Sequence, residues 1–248
     1  DIKESFEKTR LAGSIASAAL DEVEKIIKPG ITTKEIDNLC YEFINDHDAY
    51  SAPLFYRGFP KSCCTSTNHV VCHGIPSDKV LNKGDILNVD VTAYKGGWHG
   101  DTSRMFEVGK TSIKAKKLIK ITHEAMMKAI NILKEGVQLG DIGSTIQEHV
   151  EANGFSVVQD FCGHGIGKSF HEEPSVLHYG KKGTGDRLKA GMIFTIEPMI
   201  NTGNYQTKTL NDGWTAVTKD KSLSAQFEHT VGITKDGYEI FTQSKKIS

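Results

Sequence analysis

The stretch 88-NVDVTAYKGGWHGDTSRMF-106 predicts a β-hairpin that carries two aspartates. Its two β-rich arms flank 95-KGG-97, a combination suited to the unusual backbone angles of a tight turn. Asp90 lies in the first arm and Asp101 in the second, so closing the hairpin brings both acids close together on one face. Like charges that meet across paired strands are destabilising. The hairpin therefore requires something that compensates two neighbouring carboxylates.

The composition is typical of a soluble globular protein. The 248 residues are 38% hydrophobic and 25% charged, and we expect a single domain (1–248) with halves of about 1–110 and 111–248. The net charge of −1 gives no sign of nucleic-acid specificity or of a membrane partner. No apolar run approaches the roughly 18–20 residues that span a bilayer. The opening 1-DIKESFEKTRLAG-13 has a mixed-charge helical pattern, unlike a signal peptide.

Cysteine usage favours reduced thiols and hence a cytoplasmic location. The count of five is odd, two cysteines are adjacent, and no CxxC pair occurs. A disulfide framework or a thiolate zinc site is therefore not expected. The five are Cys40, Cys63, Cys64, Cys72 and Cys162.

Hydrophobic periodicity predicts two helices and a hairpin in each half of the chain. The second helix begins at Thr32 or Thr33, either of which can cap it, and a mainly β segment runs from residue 156 to the end. The other predicted elements are helices at 3–27, 112–134 and 139–153 and the hairpin at 85–108.

Two sequence matches indicate an internal duplication. "LNKGDILNVD" (81–90) aligns with "LKAGMIFTIE" (188–197), and "GITTKEI" (30–36) with "GVQLGDI" (136–142), at offsets of 107 and 106. The alternative is chance similarity between glycine-containing strand starts. A duplication predicts two α+β halves related by a pseudo-twofold axis, and it maps Asp90 onto Glu197.

Five residues form a candidate metal-ligand set. Each acid alone could be a surface residue at a strand end, but acids recurring in matching apolar strands weaken that interpretation. Four carboxylates and one imidazole suit Mn, Fe(II), Co or Zn, and five such ligands can hold two divalent cations. The candidates are Asp90, Asp101, His164, Glu197 and Glu228.

Five short motifs contain or surround these residues: VCHGIP (71–76), NVDV…GDTS (88–103), GHGIG (163–167), FTIEP (194–198) and QFEHT (226–230). In these motifs, the sequence resembles the type I methionine aminopeptidases of bacteria over nearly its whole length. Order and spacing match throughout, which makes the joint signal specific although each motif is short. The resemblance implies the α+β pita-bread (creatinase/aminopeptidase) fold, with two halves around a curved antiparallel sheet.

The resemblance also implies roles for the candidate ligands. Asp90 would hold one metal and His164 with Glu197 the other, while Asp101 and Glu228 bridge. A hydroxide activated by both metals would attack the first peptide bond, with Glu197 shuttling the proton.

Two further histidines gain catalytic and substrate-binding roles by the same resemblance. His73 would steady the intermediate, and His171 would hydrogen-bond the scissile peptide. His229 should face away from the site, because side chains alternate along a strand. The remaining histidines are expected at the surface: His47, His69, His99, His123, His149 and His178.

A small apolar pocket suits a flexible thioether side chain. By resemblance, its lining residues are Tyr56, Phe59, Cys64, Phe170 and Trp214. Tyr56 and Phe59 taken singly could equally be ordinary core. Pro53 replaces a common family cysteine and Phe59 a common tyrosine; both changes keep the pocket apolar.

A weaker match concerns a monovalent cation, Na or K. The family's cation loop corresponds to Asn68, Val70 and Ser224, and its ligands there are partly backbone carbonyls.

The expected activity is removal of an N-terminal methionine that precedes a small residue. The partners would be peptide and nascent-protein N-termini, with the ribosome as a further candidate and a monomeric state. One rival is an Xaa-Pro aminopeptidase or prolidase, which usually carries an additional N-terminal domain. Another is a non-catalytic binding protein of the same fold that has lost its metals, from which several of the five ligands should be missing.

Overall fold

Two pairs of helices precede the two acid-bearing parts of the chain. The second helix begins with a capping box, in which Thr32 accepts a hydrogen bond from the Glu35 backbone N–H and the Glu35 carboxylate accepts one from Thr32. The predicted third helix ends three residues early, where Leu133 turns back to bond the Ile130 carbonyl. The helices are α1 (Ile2–Ile26), α2 (Thr33–Asp46), α3 (Ile113–Asn131) and α4 (Leu139–Ala152).

The computed structural model describes residues 1–246, and its strands concentrate in two regions, as the sequence predicts. A short 3₁₀ turn, Ala52–Phe55, connects the first two strands. The strands within this range are β1 (Tyr50–Ser51), β2 (Cys63–Thr67), β3 (Val70–Cys72), β4 (Ile86–Lys95), β5 (Trp98–Glu107), β6 (Ser156–Val157), β7 (Gly163–Gly165), β8 (Glu172–Val176), β9 (Ile193–Ile196), β10 (Met199–Asn201), β11 (Thr207–Thr209), β12 (Ala216–Thr218), β13 (Ser224–Gln226), β14 (His229–Ile233) and β15 (Tyr238–Ile240).

All strand pairs are antiparallel. In the first half β4 pairs with β1, β2 and β5, and in the second half the order is β15-β14-β9-β7-β8. Two smaller sheets, β13-β10-β6 and β11-β12-β3, complete the arrangement. The second small sheet joins the halves, because β3 precedes the hairpin and β12 follows the second helix pair.

Each half buries its own apolar cluster between helices and strands. Helices α1 and α2 cover the β4–β5 hairpin with residues such as Leu20 and Ile36, which are fully buried. Helices α3 and α4 cover the strands of the second half, with Phe194 of β9 at the centre. None of the helices within residues 1–246 combines the length and apolarity needed to cross a bilayer.

The predicted hairpin is present, and its register places the two aspartates diagonally. Asp90 lies opposite Ser103, while Asp101 lies opposite Thr92. Side chains two residues apart in a strand share a face, so both carboxylates point to the same side of the sheet. Gly96 and Gly97 have φ angles of +59° and +86°, the left-handed region that a two-residue hairpin turn requires.

Candidate metal centre and catalytic cavity

The β4–β5 hairpin supplies the first two acids of the site. The Thr92 hydroxyl lies 2.9 Å from Asp101 Oδ1 and donates to it, which fixes the orientation of that carboxylate. The Asp101 main chain is held in turn by Thr230 of β14, whose hydroxyl accepts from the Asp101 N–H and donates to its carbonyl. Asp101 is only 3% exposed. A strand buried on both faces therefore presents a rigid carboxylate.

The second half supplies two glutamates at the adjacent ends of two paired strands. Glu197 follows the end of β9, and Glu228 immediately precedes β14, the strand paired with β9. Thr195 donates a hydrogen bond of 2.8 Å to Glu197 Oε2. Glu228 forms an isolated antiparallel bridge with Ser103 of β5. This bridge brings the acid-bearing strands of the two halves side by side.

His164 faces these acids from β7. Its Nδ1 lies 2.9 Å from the Gly165 carbonyl oxygen, and because a carbonyl only accepts, Nδ1 carries the proton. Its Nε2 points at the acids, 3.5 Å from Asp101 Oδ2 and 3.4 Å from Glu197 Oε2. A histidine whose other ring nitrogen donates to a carbonyl is the usual arrangement of a metal ligand.

The donor atoms of Asp101, His164, Glu197 and Glu228 all lie within 4.8 Å of one another. Asp90 adjoins them, close enough for the charges of Asp101 and Glu197 to act on its buried carboxyl group. No donor from residues 1–246 reaches either carboxylate oxygen of Glu228, although the residue is 1% exposed. Unpartnered buried carboxylate oxygens are costly, and a divalent cation would satisfy them. The donor set therefore fits a metal of the hard or borderline kind.

The acids perturb one another strongly. Burial, and then the charge of Asp101, raise the pKa of both Asp90 and Glu228 well above their ordinary values. Burial alone would also raise the pKa of Glu197, but the neighbouring side chains of Glu228 and His164 bring it below its ordinary value. For His164, burial lowers the pKa, but hydrogen bonds to Asp101 and Glu197 outweigh it and raise the pKa well above 6.5. Such a cluster is typical of a functional site.

A cavity of about 120 Å³ opens onto these ligands. It brings together all five predicted pocket residues, both predicted catalytic histidines and four of the predicted metal ligands. Glu228 lies beneath the cavity and does not line it. The lining consists of Pro53, Tyr56, Phe59, Cys64, His73, Asp90, Thr92, Asp101, His164, Phe170, His171, Glu197 and Trp214.

The two predicted catalytic histidines occupy different parts of the cavity wall. His73 has a φ of +57°, a conformation that costs energy for a residue with a side chain and is common at functional sites. His171 stacks on Phe170 with ring centroids 4.0 Å apart. Desolvation and the neighbouring His164 lower the pKa of His171 to about 4, so its imidazole is neutral at pH 7.

The residues matched to a cation loop lie together outside the cavity. The Ser224 N–H donates to the Asn68 carbonyl, and Val70 lies in β3, paired with Val217 of β12. The Ser224 hydroxyl is buried without a partner among residues 1–246. Asn68 has a φ of +52°.

The prediction that six histidines lie at the surface is wrong for two of them. His99 is 8% exposed and packs between Tyr94 and Phe170. His178 is fully buried, and its Nε2 accepts a hydrogen bond of 3.0 Å from the Glu197 N–H. His47, His69 and His123 are exposed, and His149 is half-buried. His229 bonds Thr242, away from the cavity, as predicted.

Sequence reasoning therefore missed three residues that support the site: Thr92, His99 and His178. Strand alternation offered a signal for the first two. Thr92 is two residues from Asp90, and His99 is two residues from Asp101, so both share the face that carries the acids. His178 lies in a loop, where no periodicity exists to reveal its burial.

Removing the Thr92 hydroxyl should weaken metal binding without harming the fold. We expect Thr92→Val to lower the affinity for added divalent metal by about 10- to 100-fold, the usual effect of losing a group that orients a ligand. The measurement is metal titration of chelator-treated protein by calorimetry. Thr122→Val is the matched control, because Thr122 is equally buried but bonds only Leu118 within α3. Equal affinities for the two variants would contradict this prediction.

The antiparallel α+β fold and the buried carboxylate–histidine cluster together define a protein with a candidate divalent-metal centre. Residues 7–235 match metallopeptidase family M24, and the chain belongs to that family. Within it, the chain groups with bacterial methionine aminopeptidases. It is 57% identical to the enzyme of Rickettsia prowazekii, covering 98% of this chain and 95% of that protein. It is 53% identical to the methionine aminopeptidase of Escherichia coli K12, covering 98% and 92%.

Solved structures agree with this assignment. The crystal structure of the Rickettsia prowazekii methionine aminopeptidase superposes with a TM-score of 0.96, covering 97% of this chain and 98% of that one. The prolidase from Pyrococcus furiosus has a TM-score of 0.79 at 24% identity, with 98% of this chain and 65% of that chain covered; this likeness concerns the fold alone. The predicted family and the pita-bread fold are confirmed.

Proposed function

We propose that the protein removes the N-terminal methionine from peptides and nascent proteins by metal-dependent hydrolysis, and that it prefers a small second residue. The observation that carries the proposal is the buried cluster of Asp101, His164, Glu197 and Glu228 at the floor of an aromatic cavity. The high identity to methionine aminopeptidases over the whole chain supports the choice of substrate.

Two divalent metal ions, Co, Mn, Fe(II) or Zn, would be held by Asp90, Asp101, His164, Glu197 and Glu228. When bound, they would supply an activated water and polarise the scissile carbonyl. Na or K would occupy the loop of Asn68, Val70 and Ser224, where the unpartnered Ser224 hydroxyl supports an unassigned ligand.

The protein side chains bind and orient the substrate. Tyr56 and Phe59 both pack on Trp214, with ring centroids 6.3 and 5.2 Å from it. With Phe170 and Cys64, these three form an apolar pocket for a thioether side chain. A neutral His171 can donate one hydrogen bond to the scissile carbonyl. His73 faces the same cavity and would stabilise charge that develops there.

Glu197 is the proposed proton carrier. Its lowered pKa keeps it ionised, so that it can accept a proton and later pass it to the leaving amine. The Thr195 hydroxyl and the His178 ring fix its side chain and main chain, respectively.

The cellular setting is proposed on the same basis. We propose a monomer as the active unit. Nascent chains present their N-termini at the ribosome, so we propose a cytoplasmic enzyme with the ribosome as a partner. The free cysteines are compatible with a reducing compartment.

A peptide assay tests the function. The wild-type protein, supplied in turn with each divalent ion, should release methionine from Met-Ala-Ser and leave Ala-Pro peptides intact. Asp101→Asn and His164→Ala should lose nearly all of this activity. Undiminished release from either variant, or a preference for Ala-Pro, would contradict the proposal.

A further inference from the structure

His99 is a buried histidine that makes two hydrogen bonds to one backbone carbonyl. Its backbone N–H lies 3.0 Å from the Gly167 oxygen, and its Nδ1 lies 2.8 Å from the same oxygen. Because a carbonyl oxygen only accepts, Nδ1 must carry a proton. The ring therefore donates from Nδ1 to the Gly167 carbonyl. Two hydrogen-bond donors of His99 thus hold the Gly167 carbonyl in place.

Gly167 begins the turn that carries the substrate-facing side chains. Residues 167–171 lead from β7 into β8, and they close on themselves through a hydrogen bond from the Gly167 N–H to the Ser169 carbonyl. A Cβ added at Gly167 would lie 3.2 Å from the Trp98 ring, so the turn packs tightly on the hairpin. Phe170 and His171 follow directly and line the cavity.

The ring of His99 also belongs to a column of stacked rings. Tyr94, opposite His99 in the hairpin register, stacks on it at 4.6 Å, and Phe170 stacks on its other side at 5.6 Å with an interplanar angle of 20°. Phe170 then stacks on His171 at 4.0 Å and 16°. The column therefore connects His99 to the imidazole that faces the substrate, through one intervening ring.

The hairpin that carries His99 also carries Asp90 and Asp101. We infer that His99 is a positioning residue: it ties the 167–171 turn to the hairpin, so that His171 has a fixed place relative to the carboxylates. The inference rests on the proposed function and deepens it. Through His99, the β4–β5 hairpin determines the position of both the acid cluster and His171, the group proposed to contact the scissile carbonyl.

Two substitutions separate the contributions of His99. His99→Phe keeps a ring between Tyr94 and Phe170 and removes the Nδ1 donor, whereas His99→Asn keeps an amide donor near Nδ1 and removes the ring. We expect His99→Phe to lower kcat on Met-Ala-Ser by about 10- to 100-fold, with metal content unchanged. His99→Asn should recover part of that loss. His123→Phe is the control, because His123 contacts Phe227 on an exposed helix face.

A double-mutant cycle tests whether His99 acts through His171. In a His171→Ala background, His99→Phe should cause almost no further loss of kcat, because the group that it positions is gone. Losses that multiply independently, or wild-type kcat in His99→Phe, would overturn the inference.

A measurement on the unaltered chain covers the case in which the variants do not fold. NMR of ¹⁵N-histidine-labelled protein should show His99 as an Nδ1–H tautomer whose ring proton exchanges slowly with water. A rapidly exchanging or Nε2–H ring would overturn the inference. Neither result depends on turnover, so a failure here is distinguishable from failure of the proposed function, which would appear as wild-type protein that does not release methionine from Met-Ala-Ser.

Discussion

Glu228→Gln is expected to abolish methionine release and, at the same time, to stabilise the metal-free protein. Activity falls because the substitution removes a negative charge from the cluster that we propose holds the cations. Stability rises because Glu228 is 1% exposed beside other acids, where its ionised form is disfavoured by burial and by like charge. An amide has the same shape without the charge.

The two effects are measured on one preparation. Turnover of Met-Ala-Ser with saturating metal should drop by at least about 1,000-fold, comparable to removing a key electrostatic group. Chelator-treated variant should unfold at a higher denaturant concentration than chelator-treated wild type, by about 1 kcal/mol. Gln226→Glu is the opposing control, since it adds an acid two residues away in a buried position and should destabilise the metal-free chain. A metal-free Glu228→Gln protein less stable than wild type would contradict the charge argument.

His171→Ala should lower kcat by about 100-fold and leave metal binding intact. A neutral imidazole that donates to the scissile carbonyl contributes most when negative charge develops there, and loss of one such donor typically costs 10²–10³ in kcat. His171 is not one of the four clustered donors, so the calorimetric metal affinity should match that of wild type.

The comparison that decides this second prediction is with His164→Ala. That variant should lose activity and metal affinity together, because the Nε2 of His164 points into the carboxylates. If His171→Ala also lost metal, the division between substrate binding and metal binding would be wrong.

The sequence made three of the four carboxylates of the candidate site predictable because each of the three obeys a local rule. Asp90 and Asp101 follow from a hairpin pattern with a glycine turn, and Glu197 follows from the repeat that equates 81–90 with 188–197. Strand alternation correctly turned His229 away from the site. The same rule, applied to His99, would have placed it on the face of Asp101, two residues further along β5.

What remained hidden depends on contacts between distant parts of the chain. His178 reaches the Glu197 N–H from a loop that begins after β8, and no spacing in the sequence relates the two. Helix α3 ends at Asn131 because Leu133 packs into the apolar cluster of the second half. This packing competes with the helical periodicity of the sequence. Tertiary packing decides such features, and local propensity is only a weak guide to them.

The bridge between Ser103 and Glu228 places the acid cluster at the contact between the two halves. Asp90 and Asp101 come from one side of it, and His164, Glu197 and Glu228 from the other. A cation held by both sides is lost when either half opens, so its binding free energy adds to the work of separating them. At a free concentration of 100 times Kd this coupling is worth about 2.7 kcal/mol. A metal ion bound by both sides would therefore act as a reversible cross-link between the halves, and the metal supply would determine how firmly they are held together.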